Sequence, residues 1–220
     1  MPCIGCVPLQ EYVVLPRRHP KLGTPFIPDA SGSALPFFLK TLLLLISLDT
    51  GTHETMAFYG WPISQCQTQT LDTQLHAGIR VVDIRLSIID GRLIAYHGIF
   101  PQATPFADML VTLHNFLTCS ATASETVVVS VKQEDSDTAR FPKLVHEEIV
   151  ASPGGLDMWF LENRIPTLGE VRGKAVMFSR FGSDGWEDGA NGIRPPIWPD
   201  SAKEGFQWEC GRTLVRTQDW

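Results

Sequence analysis

The segment Glu125–Glu134 reads ETVVVSVKQE, and within it every residue from Thr126 to Val131 except Ser130 is a β-branched one. Such a run offers no face to water, so it predicts a strand covered on both sides. Lys174–Phe178 (KAVMF) reads the same way. Ile79–Leu86 is a further strand, after which Asp90 and Gly91 turn the chain into another over Leu93–Tyr96. Helical patterns lie between them. A short one covers Thr70–His76. Pro105 opens a second, in which Phe106, Leu110, Leu113 and Leu117 recur at spacings of three and four. Phe141, Leu144, Val145 and Ile149 mark a third, stopped by Pro153, Gly154 and Gly155. Apolar strands alternating with amphipathic helices predict an α/β fold with a parallel sheet and helices outside it.

The flanks are less regular. Residues 1–34 hold Pro2, Pro8, Pro16, Pro20, Pro25 and Pro28 without an apolar period and read as an irregular arm, so the domain is expected to span 35–220. Leu35–Leu48 (LPFFLKTLLLLISL) contains Lys40 and falls short of the roughly 20 apolar residues a spanning helix needs. Its prolines and lead-in do not match a secretory signal, and a buried strand is expected there instead. Gly182–Asp200 is a loop rich in Gly, Pro and Trp, and Thr213–Thr217 reads as a last strand. The chain of 220 residues has a formal charge of −6, which gives no global reason to bind a nucleic-acid backbone. Its five cysteines are odd in number and scattered; Cys3 and Cys6 form a CxxC pair, but no second ligand pair follows at zinc spacing.

In parallel sheets and barrels the chemistry gathers at the carboxyl ends of the strands. That rule selects His53 and Glu54, Asp83 and Arg85, His97, Lys132 and Glu134, Arg180 and Asp219. Imidazole titrates near about 6.5, so His53 and His97 suit a reaction that needs a general base and a general acid. His19, His76, His114 and His146 lack such polar company and read as structural. Asp83 and Arg85 are two apart and share one strand face. A guanidinium there can grip a phosphate in two places, or the pair can be a purely structural ion pair. Lys132, at the end of an apolar strand, needs an anion to face, and either Glu134 or a phosphate would serve.

Six blocks carry a resemblance: GTHETMAFYGW (51–61), QLHAGIRVVDIRL (74–86), LIAYHG (93–98), ETVVVSVKQE (125–134), IPTLGEVRGKAVMFSRF (165–181) and TQDW (217–220). In this order they resemble the phosphatidylinositol-specific phospholipase C X domain family, in its bacterial-type and fungal phosphodiesterase branch. The resemblance implies a distorted TIM-barrel-like fold. It also implies cleavage of phosphatidylinositol at a membrane surface, by attack of the inositol 2-hydroxyl, to diacylglycerol and a cyclic inositol phosphate. It makes His53 the general base, His97 the general acid and Glu54 the partner of His97, where the family more often has Asp or Asn. Arg85 with Asp83 would stand over the phosphate, while Lys132, Arg180 and Asp219 would bind inositol hydroxyls. Calcium-dependent relatives carry acidic ligands where this chain has Arg85 and Lys132, so the resemblance implies catalysis without metal or other cofactor.

About six strands can be counted against the eight of a closed barrel, which predicts an incomplete carboxyl end. Two alternatives to the phospholipase reading remain open at this point. A metal-dependent glycerophosphodiesterase would need carboxylates where the two cations stand. A catalytically impaired phosphoinositide- or anion-binding remnant would keep the basic site alone.

Overall fold

The computed structural model describes residues 13–15, 51–135, 139–182, 191–199, 202 and 204–217. Strands are β1 (Val13–Leu15), β2 (Gly51–Thr52), β3 (Val81–Ile89), β4 (Arg92–His97), β5 (Phe100–Pro105), β6 (Val127–Gln133), β7 (Trp159–Phe160), β8 (Ala175–Arg180), β9 (Phe206–Cys210) and β10 (Thr213–Thr217). Helices are α1 (Leu71–His76), α2 (Phe106–Thr118), α3 (Arg140–Ala151) and α4 (Leu168–Val171). The strand expected over Leu35–Leu48, Cys3, Cys6 and Asp219 lie outside the described residues.

The main sheet runs β5-β4-β3-β6-β8-β7, with β2 on β3 as well. β3 pairs in parallel with β2 and with β6, β6 with β8, and β8 with β7. The turn expected at Asp90 and Gly91 is present, and what departs from the expected parallel sheet is the pair of antiparallel strands that follows it. Asp90 and Gly91 take φ of 49° and 77°, the pair of left-handed residues of a two-residue hairpin, so β4 returns antiparallel. β5 then adds a second antiparallel strand that the sequence did not signal. The sheet is therefore mixed and, among the described residues, open rather than closed into a barrel. The hairpin also lengthens β3, which puts Asp83 and Arg85 inside the strand instead of at its end.

Strand alternation sorts the side chains. Val82, Ile84 and Leu86, Val127, Val129 and Val131, and Ala175 and Met177 enter the core shared with the helices. Phe106, Leu110, Leu113 and Leu117 of α2 are all buried in it, as their spacing predicts. Each contributes about 1.5–3 kcal/mol by leaving water. Thr70 caps α1 by accepting a hydrogen bond from the Thr73 amide, and Thr167 and Glu170 form a reciprocal cap on α4.

The opposite face is built in rows set by register. Val81, Val128 and Val176 make the lowest row, Asp83, Ser130 and Phe178 the next, and Arg85, Lys132 and Arg180 the top. The lower rows pack with Phe160, Ile165, Val171 and Ile193 and with Trp208, Cys210 and Val215. These last three belong to a separate antiparallel sheet, β1-β10-β9. Thr213–Thr217 is a strand as expected, but in this small sheet. Its one-sided burial suits a ribbon laid on a core, not a parallel strand covered twice. Val13–Leu15 also breaks the irregular arm, because its partner Leu214–Arg216 lies too far along the chain to leave a local pattern.

Candidate active site

His53 and Glu54 follow β2 in a turn that several polar contacts pin down. Gly51 lies so close to β3 that a Cβ would sit 3.0 Å from the Val81 Cβ. Thr52 Oγ1 donates to Gln74 Oε1 at 2.8 Å, and Gln74 Nε2 donates to the Thr55 carbonyl at 3.0 Å. The Asp83 amide donates to Thr55 Oγ1 at 2.8 Å, and Gln67 Nε2 donates to the His53 carbonyl at 2.7 Å. Glu54 itself has φ of 47°, a conformation that costs a side-chain-bearing residue roughly 1–2 kcal/mol. Its amide donates to Asp83 Oδ2 at 3.0 Å, which helps to hold it there.

Arg85 is the centre of the site. Its Nη2 lies 2.8 Å from His53 Nε2, its Nε donates to Asp83 Oδ2 at 3.0 Å, and its Nη1 lies 2.7 Å from Glu54 Oε1 and 3.6 Å from Glu134 Oε1. A guanidinium only donates, so His53 Nε2 accepts and carries no proton. Glu54 Oε1 is also 3.7 Å from His97 Nε2. Both imidazoles thus meet one guanidinium, His53 directly and His97 through Glu54. His97 ends β4, and its Nδ1 lies 2.8 Å from the Ser64 carbonyl oxygen.

The next cations are already paired. Lys132 Nζ donates to Glu134 Oε1 at 2.8 Å, and Arg180 Nη1 donates to Asp83 Oδ1 at 3.1 Å. Arg180 also stacks 4.2 Å over the Trp198 ring. A cleft of about 330 Å³ opens beside them, lined by Lys132, Arg180, Arg194, Pro195, Pro196 and Trp198 among others. Burial works against the charge of both acids, with opposite outcomes. It pushes the Glu54 carboxyl up to about 8 despite Arg85. It would raise Asp83 too, but the Arg85 and Arg180 guanidiniums hold that carboxyl at about 2. Arg85 is raised in turn: burial opposes its charge, and Asp83 and Glu54 more than offset that.

The structure therefore gathers His53, Glu54, Asp83, Arg85, His97, Lys132, Glu134 and Arg180 along one side of the sheet. Asp83 and Arg85 do form an ion pair, and that pair is part of a larger network. The sequence reading missed Ser64, which acts through a main-chain oxygen, and Arg194 and Trp198, which sit in the Pro-rich loop. The aromatic within IRPPIWP was the one available signal for that loop. Among the described residues no group of three or more His, Cys, Asp or Glu is placed to hold a metal ion, and no helix is long and apolar enough to cross a membrane.

Known proteins are similar to this chain in sequence and in fold. The 1-phosphatidylinositol phosphodiesterase of Listeria monocytogenes is 34% identical over 198 residues, which is 84% of this chain and 56% of that protein. A protein of the same name from Staphylococcus aureus is 28% identical over 184 residues, 77% of this chain and 57% of its own length. The chain thus spans somewhat over half the length of these relatives. A solved structure of Staphylococcus aureus phosphatidylinositol-specific phospholipase C, from work on its membrane binding, superposes with a TM-score of 0.64 at 26% identity, covering 78% of this chain and 60% of that one. The pattern of the phosphatidylinositol-specific phospholipase C X domain matches residues 50–181, which hold every described site residue except Arg194 and Trp198, and the chain belongs to that family.

Proposed function

We propose that this chain cleaves the phosphodiester of phosphatidylinositol, releasing diacylglycerol and a cyclic inositol phosphate. The observation that carries the reading is the single guanidinium of Arg85 joined to His53 on one side and, through Glu54, to His97 on the other. The inositol 2-hydroxyl attacks phosphorus and gives its proton to His53 Nε2. The bond from phosphorus to the glycerol oxygen breaks, and His97 Nε2 protonates that oxygen. A phosphate bearing full charge is a better partner for Arg85 than the neutral imidazole, so substrate draws the guanidinium off His53 and frees the base.

Asp83 anchors the far edge of Arg85, and Glu54, 3.7 Å from His97 Nε2, orients the ring of the acid. Lys132, Arg180 and Asp219 take the inositol hydroxyls, with the adjoining cleft as the headgroup pocket. Arg85 and Lys132 supply fixed positive charge where hard oxygen ligands would be needed for Ca²⁺, which supports catalysis without a metal. We assign the catalytic unit to residues 35–220 and read 1–34 as an arm, tied back by the ladder between β1 and β10. Tyr59, Trp61 and Ile63 on one turn and Ile99 on the next are more than half exposed beside His97, which supports a lipid surface as the partner.

The test is turnover of phosphatidylinositol vesicles with excess EDTA, following the cyclic product by phosphorus NMR. His53→Ala and His97→Ala should each lower kcat by about 10² to 10⁴. Vesicle binding without turnover would leave the anion-binding remnant, and loss of turnover in EDTA restored by Ca²⁺ would overturn the metal-free step.

A further inference from the structure

His97 is oriented by a group that has no side-chain signature. Its Nδ1 lies 2.8 Å from the Ser64 carbonyl oxygen, which can only accept, so Nδ1 carries a proton. Nε2 is then the nitrogen turned toward the site, 3.7 Å from Glu54 Oε1. The other titratable groups at the ring are the Cys66 thiol, with Sγ 3.7 Å from Nδ1, and Arg85, which shares Glu54.

Ser64 is 1% exposed and held from more than one side. Its amide donates to the Gly60 carbonyl at 3.0 Å, and its Oγ donates to the Tyr59 carbonyl at 2.9 Å. Buried Gln102 on β5 clamps Tyr59 in turn: it accepts from the Tyr59 amide at 2.8 Å and donates to the Tyr59 carbonyl at 3.3 Å. Gly60 closes the turn with φ of 90°, and a Cβ there would lie 1.9 Å from Ser64 Oγ. Only glycine fits at 60 without moving Ser64.

We propose that the turn Tyr59–Ser64 is a positioning element for catalysis. The Ser64 carbonyl fixes the Nδ1-protonated tautomer of His97 and keeps Nε2 aimed as the acid, and Gly60 and Gln102 hold that carbonyl in place. This rests on the reading of His97 as the general acid. Ser64 acts through His97 and does not touch the substrate.

Gly60→Ala drives a methyl into Ser64 Oγ and displaces the carbonyl. Gly78→Ala is the matched control: its φ is 99°, so it carries comparable backbone strain, but its Cβ meets nothing within 4 Å. Two readouts are taken on the full chain. One is the ¹⁵N shift pair of the His97 ring, assigned by its loss in His97→Gln. The other is the pH profile of kcat on a soluble inositol phosphodiester. Wild type and Gly78→Ala should show the Nδ1-protonated neutral ring. Gly60→Ala should show a mixture of tautomers, a kcat at least ~10-fold lower with KM changed less than about two-fold, and a shifted high-pH limb. Adding Ser64→Ala to Gly60→Ala removes the clashing oxygen and should restore the tautomer and most of kcat. A folded Gly60→Ala with wild-type ring shifts and pH limb overturns the proposal. If Gly60→Ala does not fold, the wild-type ring decides, and an Nε2-protonated neutral ring overturns it. A wild type that turns over no inositol phosphodiester defeats the catalytic reading alone, because the ring shifts still report whether Ser64 sets the tautomer.

Discussion

Replacing Asp83 with asparagine tests the electrostatic frame of the site. Asp83 is 2% exposed and faces two guanidiniums, Arg85 Nε at 3.0 Å and Arg180 Nη1 at 3.1 Å, as well as the Glu54 amide. The amide side chain keeps the shape and one acceptor but leaves two largely buried cations without their shared counter-charge. Removing one partner of a buried ion pair costs about 3–5 kcal/mol. In a chain of this size each kcal/mol moves Tm by about 2–4 °C, so the variant should melt roughly 6–20 °C lower at neutral pH. The pH dependence makes the test specific. The folded carboxyl titrates at about 2 instead of its ordinary 3.8. Its contribution is therefore full above pH 3.8, amounts to ~2 kcal/mol, and disappears as pH falls toward 2. Urea unfolding followed by circular dichroism at pH 7, 4 and 2.5 should show the gap between wild type and Asp83→Asn constant down to about pH 4 and narrowing below it. A gap of the same size at pH 7 and 2.5 would refute the assignment of that stability to the Asp83 charge.

Other changes have separate signatures. Arg85→Lys keeps the charge and loses the planar fork, so steady-state kinetics should show kcat falling much more than KM rises, and an effect on KM alone would limit Arg85 to ground-state binding. Glu54 titrates at about 8 against its ordinary 4.5, so its contribution is present below pH 4.5 and lost as pH rises to 8. The stability of wild type relative to Glu54→Gln should accordingly decline across that window in urea melts. Gly192→Ala would place a Cβ 2.4 Å from the Met177 carbonyl oxygen at φ of 88°. It should lower Tm and weaken headgroup binding together, because Gly192 seats the loop that carries Arg194 and Trp198.

Much of the site was legible because its residues lie on, or just after, strands with strong local patterns. The run TVVVSV announces β6, and a buried strand leaves its first polar residue, Lys132, little choice but to meet an anion. Glu134 supplies that anion, as one of the two expected readings had it. Period two placed Asp83 and Arg85 on one face, and the register then put Lys132 and Arg180 level with Arg85. What escaped notice had no local pattern. β7 is two residues long, β1 is defined by a partner near the other end of the chain, and β5 is a sequence with prolines at both its second and last positions. Ser64 acts through a carbonyl oxygen that every residue possesses, so no residue type could have marked it. Glu54 was found by its neighbour His53, but its strained backbone and its bridge to Arg85 depend on how the turn folds.

β3 is paired along both edges, with β2 and β4 on one and β6 on the other, and it carries Asp83 and Arg85 in its interior. Its amides should be among the last to exchange with deuterium, opening only with the whole molecule, while those of the turns that carry His53, Glu54 and Ser64 and of the Arg194 loop exchange earlier. On the proposed function, the grip on phosphate and the strand-borne headgroup contacts of Lys132 and Arg180 are thus part of the global fold, whereas the part of the headgroup pocket formed by Arg194 and Trp198 is carried by a loop. Substitutions in the loops can change which headgroup is accepted without touching the phosphate anchor, so a lineage built on this sheet can drift in substrate preference while its reaction stays the same.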